Sequence, residues 1–188
     1  MRSGELAALE WKHIDWKAGT IDVVQTLVMA VKGQMLIKEP KTKNSNRKVA
    51  LPPSALEELR DYYAYRAKER DKLGDAWKGN YGGQERLFVF SHADGTPFHH
   101  NQSYHWFRKF LKKNGLRYIR FQDLRHTSAT LLINQGVLAK IISERLGHTN
   151  ITTTMNIYGH ALRSADQSAA DMLESLFANR SKVKNKTP

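Results

Sequence analysis

Between residues 101 and 158 three glycines, Gly115, Gly136 and Gly147, cut the sequence into stretches whose apolar residues recur at helical spacing. The stretches read as helices over Asn101–Asn114, Gln122–Gln135, Leu138–Leu146 and Ile151–Tyr158. Helices shorter than about 12–15 residues are marginal in isolation, so these must bury their apolar sides against one another. The second half of the chain is thereby committed to a packed helical domain. A last amphipathic segment, Ala165–Phe177, places Ala165, Ala169, Met172, Leu173, Leu176 and Phe177 on one side.

The first half reads differently. Ser3–Trp11 predicts a short helix, followed by β-favouring runs over Thr20–Met29, Gln34–Ile37 and Lys48–Leu51. Gly33 stands where the first pair of runs should turn, and the polar stretch Lys41–Arg47 links the second run to the third. Pro52-Pro53-Ser54 opens a helix carrying Leu56, Leu59 and Tyr63, which fades near Gly74. The expected fold is α+β: mostly helical, with a small antiparallel three-stranded sheet. Residues 1–178 form the expected domain. Residues 179–188 are basic, nearly free of apolar side chains, and expected to be a disordered tail.

Charge narrows the partner. Thirty Lys plus Arg oppose eighteen Asp plus Glu, a formal net charge of +12, which favours a polyanion such as double-stranded DNA. There is no cysteine, which removes disulfides and thiolate metal sites. No apolar run is long enough to span a bilayer and no signal-peptide pattern opens the chain, so no membrane partner is expected and the cytoplasm is the expected compartment. His, Asp and Glu show no HExxH-like spacing, so neither a metal nor any other cofactor is proposed.

Four clusters carry potential chemistry. Arg2-Ser3-Gly4-Glu5-Leu6 places an arginine at the mouth of a helix with a carboxylate one turn on. Pro40-Lys41-Thr42-Lys43 begins the connection before the third β run. Phe121-Gln122-Asp123-Leu124-Arg125-His126-Thr127 opens a helix. Leu146-Gly147-His148 is followed by Thr153-Thr154 and Ile157-Tyr158-Gly159-His160. Singly, each has a plain structural reading: Tyr158 as a half-buried tyrosine, His148 as a helix-end residue, His126, His160 and His99-His100 as surface or packing residues.

Taken in order, the four clusters resemble the phage integrases and their tyrosine-recombinase relatives over nearly the whole chain. The resemblance implies a catalytic domain without the part that precedes the first arginine and without a separate core-binding domain. It implies site-specific recombination, the integration or excision of a mobile element, through a 3′-phosphotyrosine. Arg2 and Arg125 would grip the scissile phosphate, and Lys41 would protonate the leaving 5′-oxygen, with Lys43 the competing choice. His148 would hydrogen-bond the phosphate, Tyr158 would be the nucleophile, and Glu5 would support the site from behind. Where the family has His at the head of the third cluster, this chain has Gln122, which can donate a hydrogen bond but cannot exchange a proton near neutrality.

Two other readings stand beside this one: a type IB topoisomerase-like activity, and a DNA-binding fragment whose cleavage is weakened or lost through Gln122 and the missing N-terminus. The resemblance further implies a homo-oligomer on DNA, assembled through the Ala165–Phe177 helix. Independently of it, two guanidiniums suit the charge of a phosphorane-like transition state, because each offers a planar fork and stays ionised. The run holding Arg108, Lys109, Lys112, Lys113, Arg117 and Arg120 has no acid within it and is expected to face the DNA backbone.

Overall fold

In the computed structural model, the residues described are 1–30, 35–39, 46–81, 83–99, 101–157 and 169–177. The order of elements is helix α1 (Ser3–Ala7), a 3-10 turn (Trp11–His13), strands β1 (Ile14–Asp15), β2 (Thr20–Val23), β3 (Thr26–Met29), β4 (Met35–Lys38) and β5 (Arg47–Ala50). Then follow α2 (Pro53–Leu73), the short pair β6 (Asn80–Tyr81) and β7 (Gln84–Glu85), α3 (Gln102–Lys113), α4 (Asp123–Asn134) and α5 (Ala139–Leu146). Residues 151–157 and 169–177 are also helical.

The α+β class holds, but the strands pair differently from the sequence reading. The first β run breaks in two. Its front half, β2, is the centre of a three-stranded antiparallel sheet between β1 and β5, while its rear half, β3, pairs with β4 in a separate two-stranded sheet. The break falls at Gln25, whose amide donates to the Ala8 carbonyl and to Glu10 Oε1, 2.8 Å away. Those bonds hold the end of α1 against the base of the β3–β4 hairpin. A polar side chain with fixed partners thus overrides a run of good β-formers. The turn expected at Gly33 lies outside the described residues; on either side of it Met29 stands opposite Met35.

Three apolar clusters hold these parts together. Ile21, Val23 and Val49 on the inner face of the sheet pack with Leu9, Trp11, Ile14 and Val89, covered by Leu56, Leu59 and Tyr62 of α2. Ala7 and Ala8 of α1 sit on Leu27 of β3. Gly4 permits that approach, since a Cβ there would lie 2.6 Å from Thr26 Oγ1 and 2.8 Å from the Leu27 carbonyl oxygen. Ala129 and Ile133 of α4 pack against Ile142 and Leu146 of α5. Burying an aliphatic side chain of this kind contributes about 1.5–3 kcal/mol. The third cluster joins α4 to α5, and α5 in turn lies against β5; α1, β5, α4 and α5 carry the candidate site.

The helices expected from Asn101 to Leu146 are present within a residue or so at each end. The helix expected over Ala165–Phe177 is described from 169 onward, and its Met172, Leu173, Leu176 and Phe177 are exposed. The expected tail at 179–188 lies outside the described residues. Among the described residues, no helix is long and apolar enough to cross a membrane.

Candidate active site

The site is organised by the C-terminal end of α5. Every α-helix leaves its last carbonyls without intrahelical partners. Here Gly147 turns left-handed, with φ +69° and ψ +46°, so that the Gly147 and His148 N–H groups donate to the Glu144 and Ser143 carbonyls. The next three carbonyls along the chain receive three arginines from distant segments. Arg47 Nε donates to the Arg145 carbonyl at 2.9 Å, Arg125 Nη2 donates to the Leu146 carbonyl, and Arg2 Nη2 donates to the Gly147 carbonyl at 3.3 Å. The negative end of the helix dipole favours this gathering of cations.

Arg2 is the cap residue of α1. Its backbone N–H donates to Glu5 Oε2 at 2.7 Å and its Nη1 to Glu5 Oε1 at 3.1 Å. Its side chain is 48% exposed, so the guanidinium is held on one side and open to solvent on the other. Glu5 is buried and also accepts both terminal nitrogens of Arg47, at 3.1 and 2.8 Å. Burial alone would push the Glu5 carboxyl up; the bonds from Arg47 and Arg2 outweigh it and hold it down at about 2.

Arg125 is buried on α4, at the position that its Ala129–Ile133 packing brings over α5. Gln122 is exposed at the head of the same helix. The rings of Tyr104 and Phe107 pack edge-on to Phe121 at 5.6 and 5.7 Å and so anchor the chain immediately before it. Arg2, Gln122 and Arg125 line one cavity of about 230 Å³, with Ser3, Tyr104 and Ser128 among the other walls. A larger groove of about 500 Å³ beside it is lined by apolar side chains such as Leu6, Phe90, Phe98 and Trp106. Its lining holds no Lys or Arg, so it supplies no fixed positive charge to a phosphate.

His148 is not in the lining of the smaller cavity but feels the same cations. Burial, then the charges of Arg125, Arg2, His126 and Arg47, lowers its imidazole to about 4, so it is neutral near pH 7. Its Nδ1 is 2.8 Å from Thr154 Oγ1. Thr154 belongs to helix 151–157, which leads directly to Tyr158. Tyr158, Lys41 and Lys43 lie outside the described residues. Arg108, Lys109, Lys112, Lys113, Arg117 and Arg120 are all exposed, and Arg120 pairs with Asp123 at 2.9 Å.

The sequence reading missed two participants. In the sequence Arg47 reads only as a neighbour of the third β run, and nothing local separates it from a basic loop residue. Thr154 was noted as part of a Thr-Thr pair, with nothing to say that one hydroxyl meets His148. A separate buried carboxylate, Glu10, is held by Lys12, Gln25 and Arg86 and braces α1. Among the described residues, no three His, Asp or Glu side chains stand together in a way that could hold a metal ion.

Comparisons with known proteins identify the family and the fold. Residues 1–164 match the family model described as the phage integrase family. A protein described as "Tyrosine recombinase XerC-like" from Caldanaerobacter subterraneus subsp. tengcongensis is 33% identical, over 94% of this chain and 46% of its own length. The ICEBs1 integrase of Bacillus subtilis (strain 168) is also 33% identical, with the same coverage of 94% and 46%. The chain thus spans about half the length of these relatives. Among solved structures, the Tn1549 transposon integrase in complex with circular intermediate DNA superposes with a TM-score of 0.73 at 25% identity, over 92% of this chain and 56% of the other. XerA recombinase shares the fold, with a TM-score of 0.62 at 23% identity over 89% and 53% of the two chains. With the family match covering most of the chain and the arginines gathered at one helix end, the chain belongs to the phage integrase family, as a tyrosine recombinase catalytic domain.

Proposed function

We propose that this chain carries out site-specific DNA recombination, integrating or excising a mobile element by breaking and rejoining strands. The observation that carries the reading is the convergence of Arg2 and Arg125 on consecutive carbonyls of α5, beside a neutral His148. In this reading a phosphodiester of double-stranded DNA lies against the two guanidiniums. The Tyr158 oxygen attacks phosphorus, the bond to the 5′-oxygen breaks, and Lys41 or Lys43 supplies the proton that the leaving 5′-hydroxyl takes. The product is a 3′-phosphotyrosine. A 5′-hydroxyl from another strand then attacks the same phosphorus and releases Tyr158, so bond energy is conserved and no nucleotide cofactor is consumed.

Each residue has a physical task. The two arginines offset the charge that grows on the non-bridging oxygens in the transition state. Neutral His148 donates a hydrogen bond without adding a cation that would over-stabilise the bound ground state. Gln122 donates to a phosphate oxygen and leaves proton transfer to others. Glu5 holds Arg2. The exposed basic face of α3 with Arg117 meets the duplex backbone. Residues 1–178 act as the catalytic unit, and the 169–177 helix links protomers on DNA. The Tn1549 transposon integrase, of like fold and solved in complex with circular intermediate DNA, supports this reading.

A nicked suicide duplex tests it. Attack a few nucleotides to the 5′ side of the nick, on the nicked strand, releases a short fragment with the new 5′-hydroxyl; it diffuses away and traps the 3′-phosphotyrosine. The expected outcome is a DNA–protein adduct mapped by mass spectrometry to Tyr158. An adduct on another residue, or none on DNA carrying the element's own end sequences, would overturn the assignment.

A further inference from the structure

We propose that Arg47 is a positioning residue of the phosphate site: by bridging Glu5 to the end of α5 it sets where the Arg2 guanidinium points. This rests on the phosphate reading of Arg2 and Arg125 and deepens it.

The geometry is specific. The Arg47 side chain is 6% exposed, and three of its N–H directions are used at once: Nη1 and Nη2 toward the two oxygens of Glu5, and Nε toward the Arg145 carbonyl. The same Glu5 oxygen, Oε1, accepts from Arg2 Nη1 and from Arg47 Nη1, each at 3.1 Å. Arg2 also reaches the Gly147 carbonyl. The result is a closed loop in which Arg47 ties α1 to α5 and Arg2 is held at both ends of the tie. Gly147 completes the fit, because a Cβ there would lie 2.8 Å from Arg47 Nη1.

A lysine could not do this. An ammonium is a point charge, whereas a planar fork can meet a carboxylate with two nitrogens and a carbonyl with a third. Nor is fold stability a sufficient reason for the arrangement. Desolvating a buried ion pair offsets most of its attraction, and well-packed apolar residues often do as well. What the pair supplies and a methionine does not is a fixed direction for Glu5, and through it for Arg2. Arg47 also opens β5, directly after the stretch that contains Lys41 and Lys43. The strand that follows the lysine segment is therefore pinned to the arginine pair.

The test uses the full chain and inorganic phosphate, observed through the Nε–H signals of Arg2 and Arg125 in nitrogen-15 NMR. In the parent both signals should move on titration. In Arg47→Lys, charge is kept but the fork is lost; phosphate binding should weaken roughly tenfold or more, with the Arg2 response lost and the Arg125 response kept. Because Arg47→Met alone would leave Glu5 buried without its partner, the folded control is Glu5→Gln with Arg47→Met, which removes both charges together. It should melt cooperatively and show the same selective loss at Arg2. Parent-like affinity with both signals moving, in Arg47→Lys or in the double variant, would overturn the positioning role and leave the phosphate site standing. If neither signal of the parent moves, the phosphate reading itself is wrong and the role of Arg47 falls with it.

Discussion

His148 Nδ1 stands 2.8 Å from the hydroxyl of Thr154, a residue with no exposed surface, and this contact joins the end of α5 to the helix that leads to Tyr158. Burial and the cations around it, Arg125 first among them, hold the imidazole at about 4 rather than near its ordinary 6.5. Proton NMR of the His148 ring should therefore show it neutral at pH 6, where an exposed histidine is largely protonated. Added inorganic phosphate should raise this value, because an anion between Arg2 and Arg125 offsets the charges that depress it. As the pH falls from about 6.5 towards 4, the unfolded chain takes up this proton before the folded chain does. His148 therefore subtracts stability progressively through that window.

Glu5 gives a second acid-sensitive contribution in a lower window. Its carboxyl is held at about 2 against an ordinary 4.5, so its stabilising effect is complete above about 4.5 and is lost as the pH falls towards 2. Glu5→Gln leaves Arg47 buried without its counter-charge and should cost about 3 kcal/mol at pH 7. Urea unfolding at pH 7 and at pH 3 checks this: the gap between parent and variant should shrink at the lower pH. A gap of the same size at both values would mean that the cost does not come from the ionised carboxylate.

Gln122 stands just before the helix that carries Arg125 and is exposed at the cavity, so a histidine there meets no steric obstacle from a packed core. Gln122→His introduces a group that titrates near neutrality and should speed adduct formation, by about tenfold or more if proton transfer limits the step. Tyr158→Phe should abolish the adduct and leave DNA binding nearly unchanged, since only the nucleophilic oxygen is lost. Equal rates for Gln122→His and the parent would show that this position binds without moving protons.

Much of this was legible in the residues, for physical reasons that can be named. Gly136 and Gly147 end helices at left-handed turns, which is why α4 and α5 could be placed from the sequence. Arg2, Gln122 and Arg125 line one cavity and His148 does not; helix spacing places Gln122 and Arg125 near one another at the start of α4, whereas the distance from either to Arg2 or His148 is set by tertiary packing. Thr20–Met29 reads as one run because most of its residues favour β structure; the break at Gln25 comes from bonds to Ala8 and Glu10, partners that no local pattern reveals. Arg47 escaped for a similar reason. Its partners, Glu5 and the Arg145 carbonyl, lie far from it in sequence, and a buried arginine reads like an exposed one until they are known.

On DNA, the exposed basic side chains should act as phosphate contacts rather than base readers. Binding is expected to weaken steeply with salt, and each contact removed by Lys112→Ala, Lys113→Ala or Arg117→Ala should reduce the slope of log K against log salt by about 0.9. Arg120→Ala should change the slope less, because its guanidinium is already held by Asp123 at 2.9 Å. Fluorescence anisotropy at several salt concentrations, on the element's own end DNA and on random duplexes, measures both effects. A slope unchanged in all the variants would place the duplex on another face.

The 169–177 helix presents Met172, Leu173, Leu176 and Phe177 at 67%, 54%, 62% and 59% exposure. Four large apolar side chains at helical spacing form a stripe of the kind that marks an interaction surface. Packing onto the chain's own domain would bury the stripe and make the helix part of the folding unit. Docking onto a neighbouring protomer would bury it only on assembly, and head-to-tail docking would link the position of one Tyr158 to the next protomer. The second arrangement takes the exposed stripe as the surface that a neighbouring protomer covers. Deleting residues 164–188 should therefore leave the melting transition cooperative and close to that of the parent, and a nicked duplex should still trap Tyr158. Recombination between two intact duplexes should be lost, together with the higher-order complexes seen by sedimentation on DNA. A truncated chain that no longer folds would assign the helix to its own core instead, and one that still recombines would leave it with neither role.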